Sequence, residues 1–213
     1  MLLRGVPNRK YVYGIDPASE QDNFSLIVME VHEDHSRIVY AWSTNRKKFK
    51  KRVKGSKKVG LDIEHDFYHY CARKIRNLMK IFPCAKIGLD AQGGGIAIEE
   101  ALHAPDKLER GEHLIWPTIE DKAKSTDDET GLHILELVQF AKADWTSKAN
   151  HGLKKDFEDQ VLLFPRFDPV TIGLAIEDDK RAIQAGDKTR LYDSLEDCVM
   201  EIEELKDELA TIV

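Results

Sequence analysis

Residues 11–18, Tyr-Val-Tyr-Gly-Ile-Asp-Pro-Ala, decide how the fold begins. Their aromatic and apolar side chains predict a strand, and Pro17 ends it because proline has no N–H to donate to a sheet. Residues 24–32 and 37–42 predict two further strands, and the short polar segments between them are typical of hairpin turns. The N-terminal sequence therefore predicts an antiparallel meander of three strands.

The next segments alternate between helical and strand patterns. Residues 62–81 place apolar side chains at helical spacing until Pro83. Residues 84–90, Cys-Ala-Lys-Ile-Gly-Leu-Asp, are short and mostly apolar, which is typical of a buried parallel strand. With a helix predicted from 96 to 102 and a strand from 113 to 119, the fold class is a mixed α/β sheet flanked by helices.

The C-terminal part shows less regular patterns. Residues 132–141 are predicted as a helix, and residues 146–159 as a second helix that leads into a short strand over residues 161–165. Residues 166–190 are predicted as a mobile loop. Ser194 with Asp197 resembles a capping box, which would begin a last helix with one apolar face.

The composition is that of a globular protein with one core. The 213 residues are 42% hydrophobic and 33% charged, so we expect a single domain over residues 1–213. The net charge of −6 argues against a protein that coats nucleic acid, although a local basic patch can still bind it. No apolar run approaches about 20 residues, so no membrane span is expected. Cys71, Cys84 and Cys198 lack C-x-x-C spacing and are expected to be reduced thiols in a cytosolic protein.

Two aspartates, Asp16 and Asp90, each end an apolar strand. A carboxylate there needs a partner, because burying an unpaired charge is costly. Asp16 before a proline is also typical of a turn, and Asp90 could cap the next helix, but glycines 93–95 leave room for a ligand. Oxygen ligands of this kind predict a site for Mg²⁺ or Mn²⁺. In two-metal phosphodiester cleavage the ions lie about 4 Å apart, held by bridging carboxylates.

Three strings in the sequence carry a family resemblance. They are Gly14-Ile15-Asp16-Pro17-Ala18, then Leu89-Asp90-Ala91-Gln92-Gly93-Gly94-Gly95, then Trp145-Thr146 through Asn150-His151 to Leu162-Leu163-Phe164-Pro165. In this order they resemble the nuclease domain of tailed-phage terminase large subunits, which has an RNase H-like fold.

The resemblance implies roles for residues and for partners. Asp16 and Asp90 match the family's first and second metal-binding acids, which would hold two catalytic ions, Mg²⁺ or Mn²⁺. Double-stranded DNA would be the substrate, and the small terminase subunit and the portal protein would be partners in the full-length context. The location it implies is the cytoplasm of the host bacterium.

Two features differ from a complete terminase large subunit. The sequence has no G-x-x-x-x-G-K-[ST] loop, so we expect an isolated nuclease fragment that lacks the upstream ATPase domain. The family's third acid lies after the last long helix, and we expect it beyond Val213. Asp193, Asp197 and Glu201 are the nearest alternatives, but helix capping or a solvated helix surface explains them at least as well.

A basic stretch between residues 45 and 60 is predicted as an exposed loop or strand edge that contacts the DNA backbone. The residues assigned to DNA binding are Arg46, Lys47, Lys48, Lys50, Lys51, Arg52 and Lys54. A charge run is often only a solvated surface, but this one contrasts with an acidic chain. His65 and His69 lie one helical turn apart without a third zinc ligand, so a solvated helix surface is the better interpretation.

The resulting hypothesis is a metal-dependent endodeoxyribonuclease that cuts concatemeric viral DNA during genome packaging. One alternative is a Holliday-junction resolvase-like nuclease on the same fold, which would prefer branched DNA. Another is a non-catalytic DNA-binding or motor-assembly module, an interpretation that the missing third acid favours.

Overall fold

A mixed sheet of seven strands forms the centre of the part that the computed structural model describes, which is residues 5–6, 8–17, 22–60, 63–118, 130–186 and 194–212. In chain order the strands are β1 (Lys10–Asp16), β2 (Phe24–Val31), β3 (Ser36–Thr44), β4 (Cys84–Asp90), β5 (Ile115–Pro117), β6 (Leu132–Val138) and β7 (Leu162–Leu163). Across the sheet they lie in the order β5-β6-β4-β1-β2-β3-β7.

The pairing directions separate the sheet into a meander and a parallel part. β1 pairs with β2, and β2 with β3, in antiparallel fashion. β4 lies parallel to β1 on the other side of the meander, and β6 lies parallel to β4. β5 and β7 close the two edges, each parallel to its neighbour. A three-stranded meander followed by strands parallel to β1 is the RNase H-like topology, which confirms the fold class predicted from the sequence.

Six α-helices flank the sheet within the described residues: α1 (Arg46–Val59), α2 (Phe67–Ile81), α3 (Gly95–His103), α4 (Ala143–Glu158), α5 (Pro169–Gln184) and α6 (Leu195–Ile212). Side-chain caps fix the starts of α1 and α2. The Asn45 side chain accepts from the Lys48 amide before α1, and the Asp66 side chain accepts from the His69 amide before α2. α1 ends at Gly60, whose φ of 72° is the left-handed conformation that glycine adopts without strain.

One face of the sheet carries the main core. Because side chains alternate along a strand, Tyr11, Tyr13 and Ile15 of β1 all lie on this first face, where they are buried. Core residues of β2, β4, α2 and α3 belong to the same cluster. The buried Tyr13 hydroxyl donates a 2.7 Å hydrogen bond to the Phe82 carbonyl, which fixes β1 against the end of α2.

The second face is covered differently. Ala41 of β3 packs there against Cys198 and Ile202 of α6. By contrast, Gly14 and Asp16, which alternate with the core residues of β1, are exposed. The second face is therefore covered by α6 over β3 and open over the end of β1.

Four sequence-based assignments are wrong. Residues 46–59, predicted as a loop or strand edge, form α1, and residues 169–184, predicted as mobile loop, form α5. Residues 132–138, predicted as a helix, form β6, because pairing with β4 and β5 outweighs the helix propensity of leucine. The helix predicted from Asp62 begins at Phe67, and Asp62 itself lies outside the described residues.

Candidate functional site

Asp16 and Asp90 end two neighbouring strands. β1 and β4 run parallel with Ile15 in register with Leu89, so the residue that follows each of them stands at the same edge of the sheet. Ile15 and Leu89 point into the core on the first face, and both aspartates therefore point to the second face. The fold thus brings together the two acids that the sequence singled out.

Asp90 is the more enclosed of the two carboxylates. The residue is only 8% exposed, and its Oδ1 accepts a 3.1 Å hydrogen bond from the Gln92 amide. The next amide, of Ala91, donates to the Val138 carbonyl at 2.8 Å, which ties the turn after β4 to the end of β6. These bonds fix the direction of the Asp90 side chain.

Asp16 experiences the negative charge of its neighbours. Partial burial of the carboxyl group raises the pKa of Asp16 above its usual value, and the nearby carboxylates of Asp90 and Asp22 raise this pKa further. Asp22 follows β1 in the turn toward β2, and sequence reasoning did not select it. A polar residue six positions after the strand-end aspartate was the only signal for it.

No cation inside the described residues balances this pair. Neither Asp16 nor Asp90 forms an ion pair there. Within the same residues, no group of three or more His, Cys, Asp or Glu side chains is placed to hold a metal ion. The site therefore offers two carboxylates and depends on ligands from elsewhere for the rest of any coordination sphere.

Position 95 requires glycine, because its backbone lies close to the backbone of Asp90. A Cβ atom at this position would lie 2.2 Å from the Asp90 carbonyl oxygen, far inside contact distance. Gly93 has a φ of +57°, which glycine adopts readily. The glycines predicted to leave room for a ligand thus have a structural reason as well, because they let the chain turn tightly from Asp90 into α3.

The proposed alternatives for a third acid lie on or before α6. The Asp197 side chain forms a capping box with Ser194, accepting from the Ser194 hydroxyl at 2.9 Å, as the sequence predicted. Glu201 accepts a 2.9 Å bond from the Ser43 hydroxyl and lies 3.8 Å from the Lys48 ammonium. Asp193 lies outside the described residues.

Glu201 lies on the same face as the aspartate pair, but at a distance. Asp16 is in register with Ser25, and Ser25 with Ser43, so these three side chains share the second face. Two strand spacings separate Asp16 from Ser43, which is about 10 Å. Glu204 and Glu208 of α6 line a small cleft of about 110 Å³ over Ser25, and the sequence pattern did not single them out.

The basic stretch forms an exposed surface of α1. Lys47, Lys50, Lys51 and Lys54 form no ion pairs within the described residues. Arg46 and Arg52 lie inward instead. The Arg46 guanidinium lies 5.0 Å from the Phe67 and Tyr68 ring centres, and Arg52 donates to the Tyr70 hydroxyl. Since β3 runs parallel to β1, α1 begins at the sheet edge where Asp16 and Asp90 lie.

The remaining candidates from the sequence have structural roles. His69 pairs with its own helix cap, with Nδ1 3.0 Å from Asp66 Oδ1. His151 Nδ1 lies 2.7 Å from the Ser147 carbonyl on the exposed side of α4. The three cysteines form no disulfide, and burial raises the pKa of the Cys71 thiol well above its usual range and that of Cys84 to about 12. Neither Cys71 nor Cys84 is thus a reactive thiolate near neutral pH.

Among the described residues, no helix combines the length and the hydropathy that a membrane span requires.

No protein-family model and no curated protein matches the sequence. Among solved structures, the chain resembles the large terminase nuclease of thermophilic phage G20c with bound magnesium, over 76% of this chain and 61% of that one, at 14% identity and a TM-score of 0.46. It resembles the HK97 bacteriophage large terminase over 75% of this chain and 30% of that one, at 13% identity and a TM-score of 0.45.

A third similar structure is the human cytomegalovirus terminase nuclease domain, soaked with Mn and bound to an inhibitor. It covers 95% of this chain and 85% of that one, at 11% identity and a TM-score of 0.40. The chain thus spans less than two thirds of the G20c nuclease and under a third of the HK97 large terminase. Similarities this distant assign no residue roles, so the roles in this chain rest on its own geometry.

Proposed function

We propose that the protein is a metal-dependent endodeoxyribonuclease in which Asp16 and Asp90 hold Mg²⁺ or Mn²⁺. The observation that supports this most directly is the uncompensated pair of carboxylates at the ends of two neighbouring parallel strands. Like charges held together by the backbone are unfavourable unless a cation lies between them. A fold that keeps such a pair has a reason to bind a divalent ion there.

The donor set fits a hard cation. Carboxylate oxygens are the ligands that Mg²⁺ and Mn²⁺ prefer, and a bound ion would remove the repulsion that raises the pKa of Asp16. By the sequence resemblance two ions are expected, and such ions supply an activated water and stabilise the leaving oxygen in phosphodiester hydrolysis. The remaining ligands would come from water, from substrate phosphate oxygens and from a further acid.

The residues of the chain have separate tasks in this proposal. Asp90, held by the Gln92 amide, provides a carboxylate of fixed direction. Asp16 is exposed and faces the side from which a substrate would approach. The lysines on the outer surface of α1 would neutralise DNA phosphates near the same edge of the sheet. The net charge of −6 gives this local basic surface a strong contrast with the rest of the chain.

The biological context follows the sequence resemblance to terminase large subunits. The substrate would be double-stranded concatemeric DNA cut during genome packaging, in the cytoplasm of the host bacterium. The small terminase subunit and the portal protein would be partners of a longer protein that also carries an ATPase domain.

A non-catalytic DNA-binding or motor-assembly module is the second candidate. The observation that favours it is that, within the described residues, no third acid is placed with Asp16 and Asp90 so that the group could hold a metal ion. Such a module would bind DNA without cutting it in any divalent metal. A Holliday-junction resolvase-like nuclease would instead cut a four-way junction in preference to linear DNA.

Plasmid nicking in Mn²⁺ and in Mg²⁺ tests the proposal. Asp90→Asn removes one ligand charge at nearly constant shape. We expect cleavage to fall by at least about a hundredfold, since loss of groups that only support metal ligands already costs roughly 10- to 100-fold. Thermal unfolding should remain close to that of the wild type.

Asp34→Asn is the matched control, because Asp34 is an exposed acid at the opposite end of the sheet. It should cleave normally. Full activity of Asp90→Asn would contradict the assignment, and a wild-type chain that binds DNA but cuts it in no metal would support the non-catalytic alternative.

A further inference from the structure

An exposed aromatic pair stands beside the aspartates at the same edge of the sheet. Val138 ends β6 in register with Asp90, and the chain continues from it through Phe140 into α4. The Phe140 and Trp145 rings lie 4.7 Å apart between centroids. Both residues are well exposed, at 38% and 39%. Large aromatic side chains in this position lose hydrophobic free energy unless something covers them.

The turn that carries the two rings is well ordered by hydrogen bonds. The Lys142 amide donates to the Gln139 carbonyl at 3.1 Å, and the Trp145 amide donates to the Lys142 carbonyl at 2.9 Å. The Thr146 hydroxyl donates to the Phe140 carbonyl. The rings are therefore displayed on a fixed turn, which lowers the entropy lost when they bind a flat ligand.

α4 continues this surface with a stripe of lysines, beside which Asp144 lies without an ion pair to them within the described residues. The helix has no buried residue along its length. Trp145, Lys148, Gly152 and Lys155 follow one another at helical spacing, so they form one stripe on its surface. Within the described residues, Lys148 and Lys155 form no ion pair, and neither does Lys142 before the helix. Aromatic rings interleaved with unpaired lysines are typical of surfaces that bind nucleic acid.

α4 lies on the side of the sheet to which Asp16 and Asp90 point. Phe157, near the end of α4, lines an apolar cavity of about 430 Å³ together with Lys206 and Leu209 of α6. α6 packs on the second face through Ile202 and Ala41. A right-handed crossover from β6 back to β7 also places the connecting helix on this face.

We propose that Phe140 and Trp145 stack on unpaired bases of a DNA substrate, while Lys148 and Lys155 contact its backbone. Rings cannot stack on bases inside an intact duplex, so the partner is a single-stranded or locally opened segment next to the aspartates. This inference rests on the proposed nuclease function and adds to it the state of the DNA at the site. A surface that instead receives a protein would show no dependence of DNA affinity on these rings.

Binding of a labelled oligothymidylate and of a blunt duplex of equal length tests the inference. Both are measured by fluorescence anisotropy in EDTA, where no metal-dependent cleavage occurs. Trp145→Ala should weaken binding of the single strand by about tenfold or more, as expected for loss of one stacked base, and binding of the duplex by less than about twofold. Trp145→Phe should retain most of the affinity, because it preserves a ring.

The control is Leu163→Ala. Leu163 is an apolar residue of β7 with 42% exposure, and it lies at the opposite end of the sheet. It should bind both probes like the wild type. A second readout is quenching of tryptophan fluorescence by oligothymidylate, which should disappear in Trp145→Phe because Trp42 is buried and Trp116 stacks on His103.

Two results would overturn the inference. One is equal affinity of Trp145→Ala, Trp145→Phe and wild type for the single strand. The other is an equal loss of affinity for single strand and duplex, which would mean that the surface touches the backbone and not the bases. The assay does not depend on cleavage. A chain without nuclease activity could therefore still bind single strands through these rings, and an active nuclease could lack such binding.

Discussion

The carboxylates at the two ends of the sheet differ in whether the fold supplies cations beside them. At one end, Glu30 is completely buried and its Oε2 accepts from Arg37 Nε at 3.0 Å and from Arg37 Nη2 at 2.8 Å. Its Oε1 lies 2.9 Å from His32 Nε2, and Arg9 stands 3.7 Å away. At the other end, Asp16 and Asp90 have no such cation as a partner among the described residues, and the Asp90 charge raises the pKa of Asp16.

The difference separates a structural acid from a candidate functional one. A buried carboxylate that is paired with cationic side chains of the same fold has a structural role, because these pairs connect neighbouring strands. β2 and β3 are joined in this way, because Glu30 and Arg37 are cross-strand neighbours. Repulsion between two carboxylates without nearby cations lowers the stability of the folded state, and a bound external cation removes this repulsion. We therefore interpret the aspartate pair, and not Glu30, as the site.

Arg37→Met should have the largest effect on stability. It leaves the Glu30 carboxylate buried with weaker partners, and we expect a loss of about 3 kcal/mol in the free energy of unfolding. Urea denaturation measures it. Arg181→Met is the matched control, because the ion pairs of Arg181 with Glu177 and Asp178 on α5 are exposed, and it should cost less than about 1 kcal/mol.

The same variant should leave cleavage per folded molecule unchanged. If Arg37→Met instead removed activity without lowering stability, the two ends of the sheet would not differ in the way described.

Lys50, Lys51 and Lys54 of α1 form no ion pair within the described residues, so we expect them to bind an external anion. Replacing Lys50, Lys51 and Lys54 by Gln should weaken DNA binding regardless of sequence. The slope of log affinity against log salt should fall by about 0.9 for each phosphate that the variant no longer neutralises. Lys180→Gln, an exposed lysine of α5, is the control. An unchanged slope in the triple variant would show that this surface is merely solvated.

Asp16→Asn should have the smallest effect, and its sign is diagnostic. The pKa of Asp16 is raised in the folded protein, so its contribution to stability is complete below the usual value of 3.8 and is lost as pH rises through the raised value. Near neutral pH in EDTA the variant should therefore be slightly more stable than the wild type. The gain should be about 2 °C or less, since the residue is exposed.

Binding of a divalent metal should reverse the order of the melting temperatures of the wild type and Asp16→Asn. Mn²⁺ should raise the melting temperature of the wild type and have little effect on Asp16→Asn, because a ligand charge is missing. A variant that is destabilised in EDTA at neutral pH would show that Asp16 is favourably paired and not repelled.

The sequence predicted the features that depend on local residue patterns and on the order of the strands along the chain. The meander, the buried strand over 84–90 and both aspartates were found because strand-end acids interrupt apolar runs. α1 was missed although Phe49, Val53 and Ser56 lie inward at helical spacing, because lysines on every side obscured this pattern. β6 was missed because its identity depends on long-range pairing with β4 and β5.

The site itself was predicted only in part. Asp22 lies near enough to Asp16 to raise its pKa, and the acids of α6 line the cleft over Ser25, but no local sequence pattern indicates either arrangement. Phe140 and Trp145 were equally hidden, because sequence does not tell an exposed aromatic side chain from a buried one.

The position of Asp16 and Asp90 on strands that are neighbours in space but not in sequence has a consequence for folding. Two strands and two helices separate them along the chain, so their carboxylates meet only after β4 has docked against β1. A nascent or unfolded chain holds each acid alone and has no place where a divalent ion could be shared. Any cutting activity would then appear together with the native state, and partly folded molecules could not cut DNA during synthesis.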